Sequence, residues 1–155
     1  PDFETGTVDG YLASAHFVIE SSDAHSGNFS GKSIDRTNPQ TNFYRQDVRV
    51  KANRTYLLSG WFKTKTGTEQ YEIYPNSSNV DRPYRNTETV GGSPEEWKQV
   101  ILTIVTKADT VVTPSILSWA TTEDYWVDDL YVGEIKPSVV YKGIEMKFGD
   151  NGKAM

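Results

Sequence analysis

The sequence predicts an all-β fold, an antiparallel β-sandwich, and three observations predict it. Short runs in which apolar and polar residues alternate recur along the chain, each bounded by Gly, Pro, Asn, Asp or Ser. No stretch sustains a helical period. Aromatic residues make up 12% of the chain, with nine Tyr and four Trp, amid abundant Thr, Ser and Asn, the composition of strands with ring-bearing surfaces. At 155 residues the chain reads as one domain, long enough to bury roughly two-thirds of its unfolded surface.

In chain order, Pro1 to Gly10 is an irregular opening around Asp2-Phe3-Glu4, and His16 to Glu20 is the first strand. Ser21 to Gly31 is a turn-rich loop leading into Lys32-Ser33-Ile34-Asp35. Asn42 to Lys51 alternates, with Val48 and Val50 inward and Asp47 and Arg49 outward. Thr55 to Lys65 is the central strand, bounded by Ala52-Asn53-Arg54 and Thr66-Gly67-Thr68. Its Tyr56, Leu58, Gly60 and Phe62 read as core, while Leu57, Ser59, Trp61 and Lys63 face the other way, an indole among polar neighbours. Gln70 to Tyr74 alternates Tyr71 and Ile73 against Glu72 and Tyr74. Asn76 to Pro94 is a long polar loop of the kind that is functional or mobile.

Trp97 to Val105 sets Val100, Leu102 and Ile104 against Gln99, Ile101 and Thr103. Ser115 to Ala120 sets Ile116 and Ser118 against Leu117 and Trp119. Trp126 to Gly133 closes the domain, with Asp128, Leu130 and Val132 inward and Val127 and Asp129 opposite. The domain therefore spans 1–134, and 135–155 is an extension or linker, with Val140, Ile144, Met146 and Phe148 able to form one extra strand.

Several function classes fall away on composition. Cysteine is absent, so there is no disulfide framework, thiol nucleophile or thiolate metal site. A net charge of −5 argues against nucleic acid, which calls for a basic face. No apolar run approaches the ~20 residues of a membrane span. No signal-peptide pattern is present, and an opening at Pro1 reads as a mature or trimmed segment.

Asp2-Phe3-Glu4, Ala24-His25-Ser26-Gly27, Val48-Arg49-Val50-Lys51 and Thr55 to Trp61 follow one another in an order that, with Glu96-Trp97-Lys98 and the closing Trp126 to Val132, resembles a known family. That family is the carbohydrate-binding modules of the family 4, 9 and 22 type, jelly-roll sandwiches of galactose-binding-like topology; the resemblance covers roughly residues 1–134. It implies a non-catalytic module that anchors a secreted, bacterial polysaccharide-degrading enzyme to its glycan through an aromatic-lined groove, monomeric within a multidomain protein. β-Glucan or xylan is the partner it favours, while Arg45, Lys63, Arg82 and Arg85 leave an acidic glycan open.

An aromatic plane can stack on the apolar C–H face of a pyranose while polar neighbours bond its hydroxyls. By alternation Trp61, Trp119 and Tyr74 leave the core face, with Lys63, Glu72, Gln99 and Thr103 as polar company, and they are expected to line one groove, with Arg45 as a further sugar-binding candidate. The alternative is that Trp61 or Trp119 packs under a loop, in which case the 76–94 loop with Tyr84 becomes the candidate. Trp97 and Trp126 read as structural.

The resemblance also implies a structural calcium held by Glu4 and Asp128, with Lys32 and His25 contributing backbone carbonyls. Two carboxylates plus carbonyls suit a hard cation, and an inward Asp128 must be neutralised by something. A salt bridge from Asp128 to Lys32 or an Arg is the other way to do that, and Asp129 reads as a solvated charge. Enzymatic readings have less to stand on. Only His16 and His25 are available as imidazole bases, no nucleophile motif occurs, and the scattered loop carboxylates read as solvated. A small jelly-roll lyase using Tyr74 with Arg45, and a structural spacer sandwich, remain as rivals.

Overall fold

The computed structural model describes residues 3–7, 9, 11–12, 16–37, 41–45, 47–65, 70–75, 77–81, 86–89, 96–118, 122–136, 138–141 and 144–147. Among these there is no helix. The strands are β1 (Tyr11–Leu12), β2 (Phe17–Glu20), β3 (Ser30–Ser33), β4 (Thr41–Arg45), β5 (Val48–Val50), β6 (Thr55–Thr64), β7 (Gln70–Tyr74) and β8 (Val80–Asp81). They continue with β9 (Asn86–Thr89), β10 (Lys98–Thr106), β11 (Thr110–Val112), β12 (Ser115–Ser118), β13 (Tyr125–Glu134), β14 (Ser138–Tyr141) and β15 (Ile144–Lys147).

They assemble into a five-stranded sheet in the order β1-β4-β12-β7-β9 and a six-stranded sheet in the order β2-β3-β13-β6-β10-β8, with every pair antiparallel. Strand β7 of the first sheet packs on β6 and β10 of the second, which makes a sandwich. The alternation read from the sequence supplies the filling. Tyr56, Leu58 and Phe62 of β6, Val100, Leu102 and Ile104 of β10, and Ile73 of β7 are all buried. Phe3, Phe17, Tyr125, Val127 and Leu130 extend the same cluster. Each such side chain contributes roughly 1.5–3 kcal/mol by leaving water.

Three departures from the sequence reading stand out. The run from Asn42 to Lys51 is two strands, β4 in the five-stranded sheet and β5 paired with β11 in a separate ribbon. The 76–94 stretch is not structureless, since β8 and β9 each add an edge strand. In place of one extra strand, the C-terminal extension forms a hairpin, β14 with β15, as its own two-stranded sheet.

The fourth departure concerns β13. Val127 pairs with Phe62 and Asp128 with Trp61, and the register then shifts before Tyr131 pairs with Ser59. Asp129 sits in the bulge with φ of +50°, a conformation that Asp tolerates better than most residues. An added residue inverts alternation beyond it. Leu130 and Val132 do point inward, yet Asp128 belongs to the opposite parity, with Trp126 and Trp61 on the outer face of its sheet. Expecting Asp128 inward is therefore incorrect, because strict alternation was carried across a bulge.

Gly31 of β3 is where the core comes closest to backbone. A Cβ there would sit 2.3 Å from the Phe17 ring and 2.9 Å from the Phe3 ring. Gly31→Ala should accordingly destabilise the fold by about 1–3 kcal/mol through overpacking, lowering the urea midpoint at unchanged slope. Val105→Thr at an exposed β10 position should stay within about 0.5 kcal/mol.

Candidate functional site

Strand register builds two outer surfaces, one on each sheet, and they differ in what covers them. On the six-stranded sheet, one row runs Val18, Lys32, Trp126, Lys63 and the next runs Asp128, Trp61, Gln99. The loop between β2 and β3 lies across these rows. The His25 ring stacks on Trp61, with centroids 3.8 Å apart and planes 15° from parallel, and Trp97 meets the same imidazole edge-on at 5.7 Å. Lys63 is only 5% exposed; its ammonium pairs with the Asp23 carboxylate and lies 5.3 Å from the Trp97 ring and 5.1 Å from Trp126. Lys32 approaches the Trp126 ring at 4.6 Å and ion-pairs with Glu20 and Asp124.

Carboxylates fasten that loop through its own backbone. Asp128 is wholly buried; its Oδ2 accepts the N–H groups of His25 at 2.9 Å and Ser26 at 3.2 Å, and its Oδ1 accepts the N–H of Asp129 at 2.8 Å. Asp129 accepts from His25 Nδ1 at 2.7 Å and from the Ser26 hydroxyl at 2.8 Å. Glu4 accepts the N–H groups of Asn28 at 2.8 Å and Phe29 at 3.0 Å. Gly27, with φ of +65°, lets the chain pass Glu4, since a Cβ there would fall 2.3 Å from that carboxylate. Burial raises the Asp128 carboxyl above its ordinary 3.8, and the neighbouring Asp129 adds to the rise, against the pull of the Ser26, Asp129 and His25 N–H bonds.

Glu4 and Asp128 are the carboxylates from which a calcium site would be built. In its favour, Asp128 and Glu4 grip adjacent halves of one loop, Asp128 has no ion pair to a basic side chain among the described residues, and its Oδ1 keeps acceptor capacity beyond the single bond it makes. The salt bridge from Asp128 to Lys32 does not form, as Lys32 turns to Glu20 and Asp124 instead. Lys32 lies in the ladder between β2 and β13, and the His25 N–H donates to Asp128. Among the described residues no three His, Cys, Asp or Glu side chains cluster to hold a metal. Glu4 and Asp128 are two carboxylates of the type that suits a hard cation, both already bonded by N–H groups of the β2–β3 loop.

On the five-stranded sheet, Ile73 is buried and Tyr74 half-buried. Register sets Tyr74, Ser115 and Tyr44 in one row and Thr87, Glu72, Leu117 and Asn42 in the next row of the same parity. Ser115, wholly buried, lies between the two tyrosine positions. Arg45 takes the parity opposite to Tyr44 and pairs with Tyr11 at the sheet edge, so the strand pattern does not join it to Tyr74 in a lyase pair. Trp119 follows β12 and lies outside the described residues, as do Arg82, Tyr84 and Arg85.

The expected single groove therefore divides. Trp61, Lys63 and Gln99 belong to the six-stranded sheet, whereas Glu72, Tyr74 and Arg45 belong to the five-stranded one. Outer faces of two packed sheets look in opposite directions, and parity says only which side of its own sheet a residue takes. Trp61 is the ring that packs under a loop. Tyr44, the row partner of Tyr74, was not singled out from the sequence, although it alternates within the Asn42–Lys51 run. Asp129, read there as a solvated charge, is a fastening of the loop.

Comparison with known proteins follows from this geometry. The family model described as a carbohydrate binding domain, CBM 4/9, matches residues 1–122. No curated protein sequence matches the chain. Among solved structures, the CBM22-2 xylan-binding domain of Paenibacillus barcinonensis Xyn10C superposes with a TM-score of 0.61 at 17% identity, covering 86% of this chain and 97% of that one. TmCBM61, solved with β-1,4-galactotriose, gives 0.67 at 16% identity over 87% and 95%. The CBM22-1–GH10 portion of Clostridium thermocellum xylanase 10B, complexed with xylohexaose, gives 0.58 at 21% over 86% and 27%. The fold is thus the carbohydrate-binding-module jelly-roll sandwich.

Removing the Asp128 carboxylate should orphan three N–H donors, at about 1–3 kcal/mol each. Asp128→Ala is expected to lose about 3 kcal/mol or more in urea unfolding. The sign of its pH effect follows from linkage. A folded-state value above the unfolded 3.8 means that the folded protein holds the proton longer, so this group's contribution falls as pH rises from 3.8 through the raised value. The stability difference between wild type and Asp128→Asn, measured across that window, should move against wild type as pH rises.

Proposed function

The chain belongs to the carbohydrate-binding domain family whose model spans residues 1–122, and on that premise we propose a non-catalytic module that binds a β-linked polysaccharide along the outer face of its five-stranded sheet. The observation that carries the choice of sheet is the cover on the other one: the β2–β3 loop stacks His25 on Trp61, which occupies the indole face a sugar would need. The five-stranded sheet offers the row Tyr74, Ser115, Tyr44, with two tyrosine positions on either side of a small residue. They stand two strand spacings apart, roughly 9.5 Å, a separation on the scale of a disaccharide. Glu72 and Asn42 stand in the next row of the same parity, and Trp119 follows β12 in sequence. Xylan and β-1,4-galactan are the substrate classes to try first, because structural neighbours are a xylan-binding domain and a galactotriose complex.

The module serves an extracellular polysaccharide-degrading enzyme by holding it on its substrate. A calcium ion on Glu4 and Asp128 would neutralise the buried carboxylate and tie the opening segment to β13, remote from the sugar. Such an ion stabilises the native state alone, by about 2.7 kcal/mol at a hundredfold excess over Kd.

Isothermal titration with xylo- and galacto-oligosaccharides tests the sugar face. Tyr74→Ala and Trp119→Ala should each weaken binding about tenfold or more, as for a stacked hot-spot ring, with Glu72→Ala weakening it less. Trp61→Ala should instead lower the urea midpoint while leaving affinity per folded molecule intact; the reverse pattern would move the site to the six-stranded sheet. New reducing ends or unsaturated products from the incubated glycan would make the chain an enzyme and end this reading. Melting of metal-stripped protein with and without added calcium tests the ion, with a rise expected in wild type and none in Asp128→Ala.

A further inference from the structure

The β4–β12 ladder does not end where those strands end. The Thr113 hydroxyl bonds Asp47 Oδ1 at 2.6 Å across the break. Strands β5 and β11 then resume the pairing, with Val48 opposite Val112 and Arg49 opposite Val111. Val50 and Val112 are buried while Arg49 and Val111 are exposed, so this ribbon prolongs the sheet with an outward side of its own. Beside this ribbon is a cleft of about 320 Å³ lined by Arg49, Val50, Lys51, Asp109, Thr110 and Val111.

The charges in the cleft are unequally spent. Lys51 Nζ pairs with Asp109 Oδ2 at 2.8 Å, and Asp109 Oδ1 accepts the N–H of Ala52 at 2.8 Å. Thr110 Oγ1 accepts from the Asn79 amide at 3.3 Å. Among the described residues no carboxylate pairs with Arg49. Among the described residues the cleft therefore holds one guanidinium without a carboxylate partner, a planar fork that matches a carboxylate with two parallel N–H bonds, beside an exposed valine.

We propose that this cleft binds the carboxylate of a uronic acid residue, as a substituent of a glycan lying along the adjoining five-stranded sheet. The glycan part rests on the reading given above, whereas the carboxylate site stands on the cleft itself. Arg49 would take the carboxylate, and Val111, its register partner on the same face, the apolar ring face. A chain of net charge −5 opposes a densely charged polyanion, so the preference is for sparsely decorated polymers over polyuronates.

Two titrations of the whole chain test this separately from the sugar face. Methyl β-glucuronide, followed by NMR at the Arg49 side-chain N–H, should shift that signal, with methyl β-glucoside giving none. A glucuronic-acid-substituted xylo-oligosaccharide should bind about fivefold tighter than its unsubstituted parent, the scale of about 1 kcal/mol for a charge-assisted bond at a surface. Arg49→Ala should abolish the preference and leave the unsubstituted affinity unchanged, and Arg49→Lys should restore it only in part. Equal binding of the two oligosaccharides by wild type, or a preference that survives Arg49→Ala, overturns the inference and leaves the polysaccharide reading standing. A glucuronide shift at Arg49 in a protein that binds no neutral oligosaccharide keeps the cleft and sinks the polysaccharide reading.

Discussion

A buried carboxylate bonded to backbone N–H groups is the constraint on which this structure depends most. Asp128 is wholly excluded from solvent, and taking a carboxylate out of water costs several kcal/mol even after relaxation. What offsets that cost is the convergence of the His25, Ser26 and Asp129 N–H groups. Those donors exist in that place only because the β2–β3 loop folds down and because β13 carries a bulge. Loop, bulge and carboxylate are thus mutually required. Glu4 repeats the device on the Asn28 and Phe29 N–H groups, which brings the opening segment into the same unit.

This fastening covers the outer face of one sheet. Both sheets carry aromatic residues at outward positions, and on composition alone either could hold a sugar. On the six-stranded sheet, however, the loop lays His25 over Trp61 and pairs Asp23 with Lys63, so rings and cations there are used up in contacts with one another. The residues that hold the loop down are the ones that remove this face from competition. The five-stranded sheet carries Tyr74, Ser115 and Tyr44 in one row, which is why the functional reading is placed there.

Much of the fold was legible in the sequence because alternation is a local property of a strand. The core positions of β6 and β10 and the buried Ile73 all follow from a period of two, and the family resemblance rested on the same segments. The site was less legible. Parity places Trp61 and Tyr74 outward, but which sheet each strand joins is settled by pairing between residues far apart in sequence. The Asp128 parity failed for a different reason: a bulge leaves no signature in Trp126-Val127-Asp128-Asp129 beyond an Asp that tolerates positive φ. The break between β4 and β5 was equally silent, since a run that alternates on both sides of an irregular joint looks continuous.

The distribution of positive charge then limits how this surface can recognise a glycan. Lys32, Lys51, Lys63, Lys98 and Lys107 each stand within ion-pair distance of a carboxylate, in a chain whose acidic residues outnumber its basic ones by 21 to 16. Long-range attraction toward acidic polymers is consequently absent, and association relies on short-range contacts that salt screens little. The ring stacking and hydroxyl bonding proposed for the five-stranded sheet are contacts of that kind. An unpaired guanidinium adds selectivity without steering, because its field is cancelled within a Debye length by the surrounding acids while its fork still acts at contact. Arg49, at the prolonged end of the β4–β12 ladder, is the group proposed to discriminate among glycans in this way.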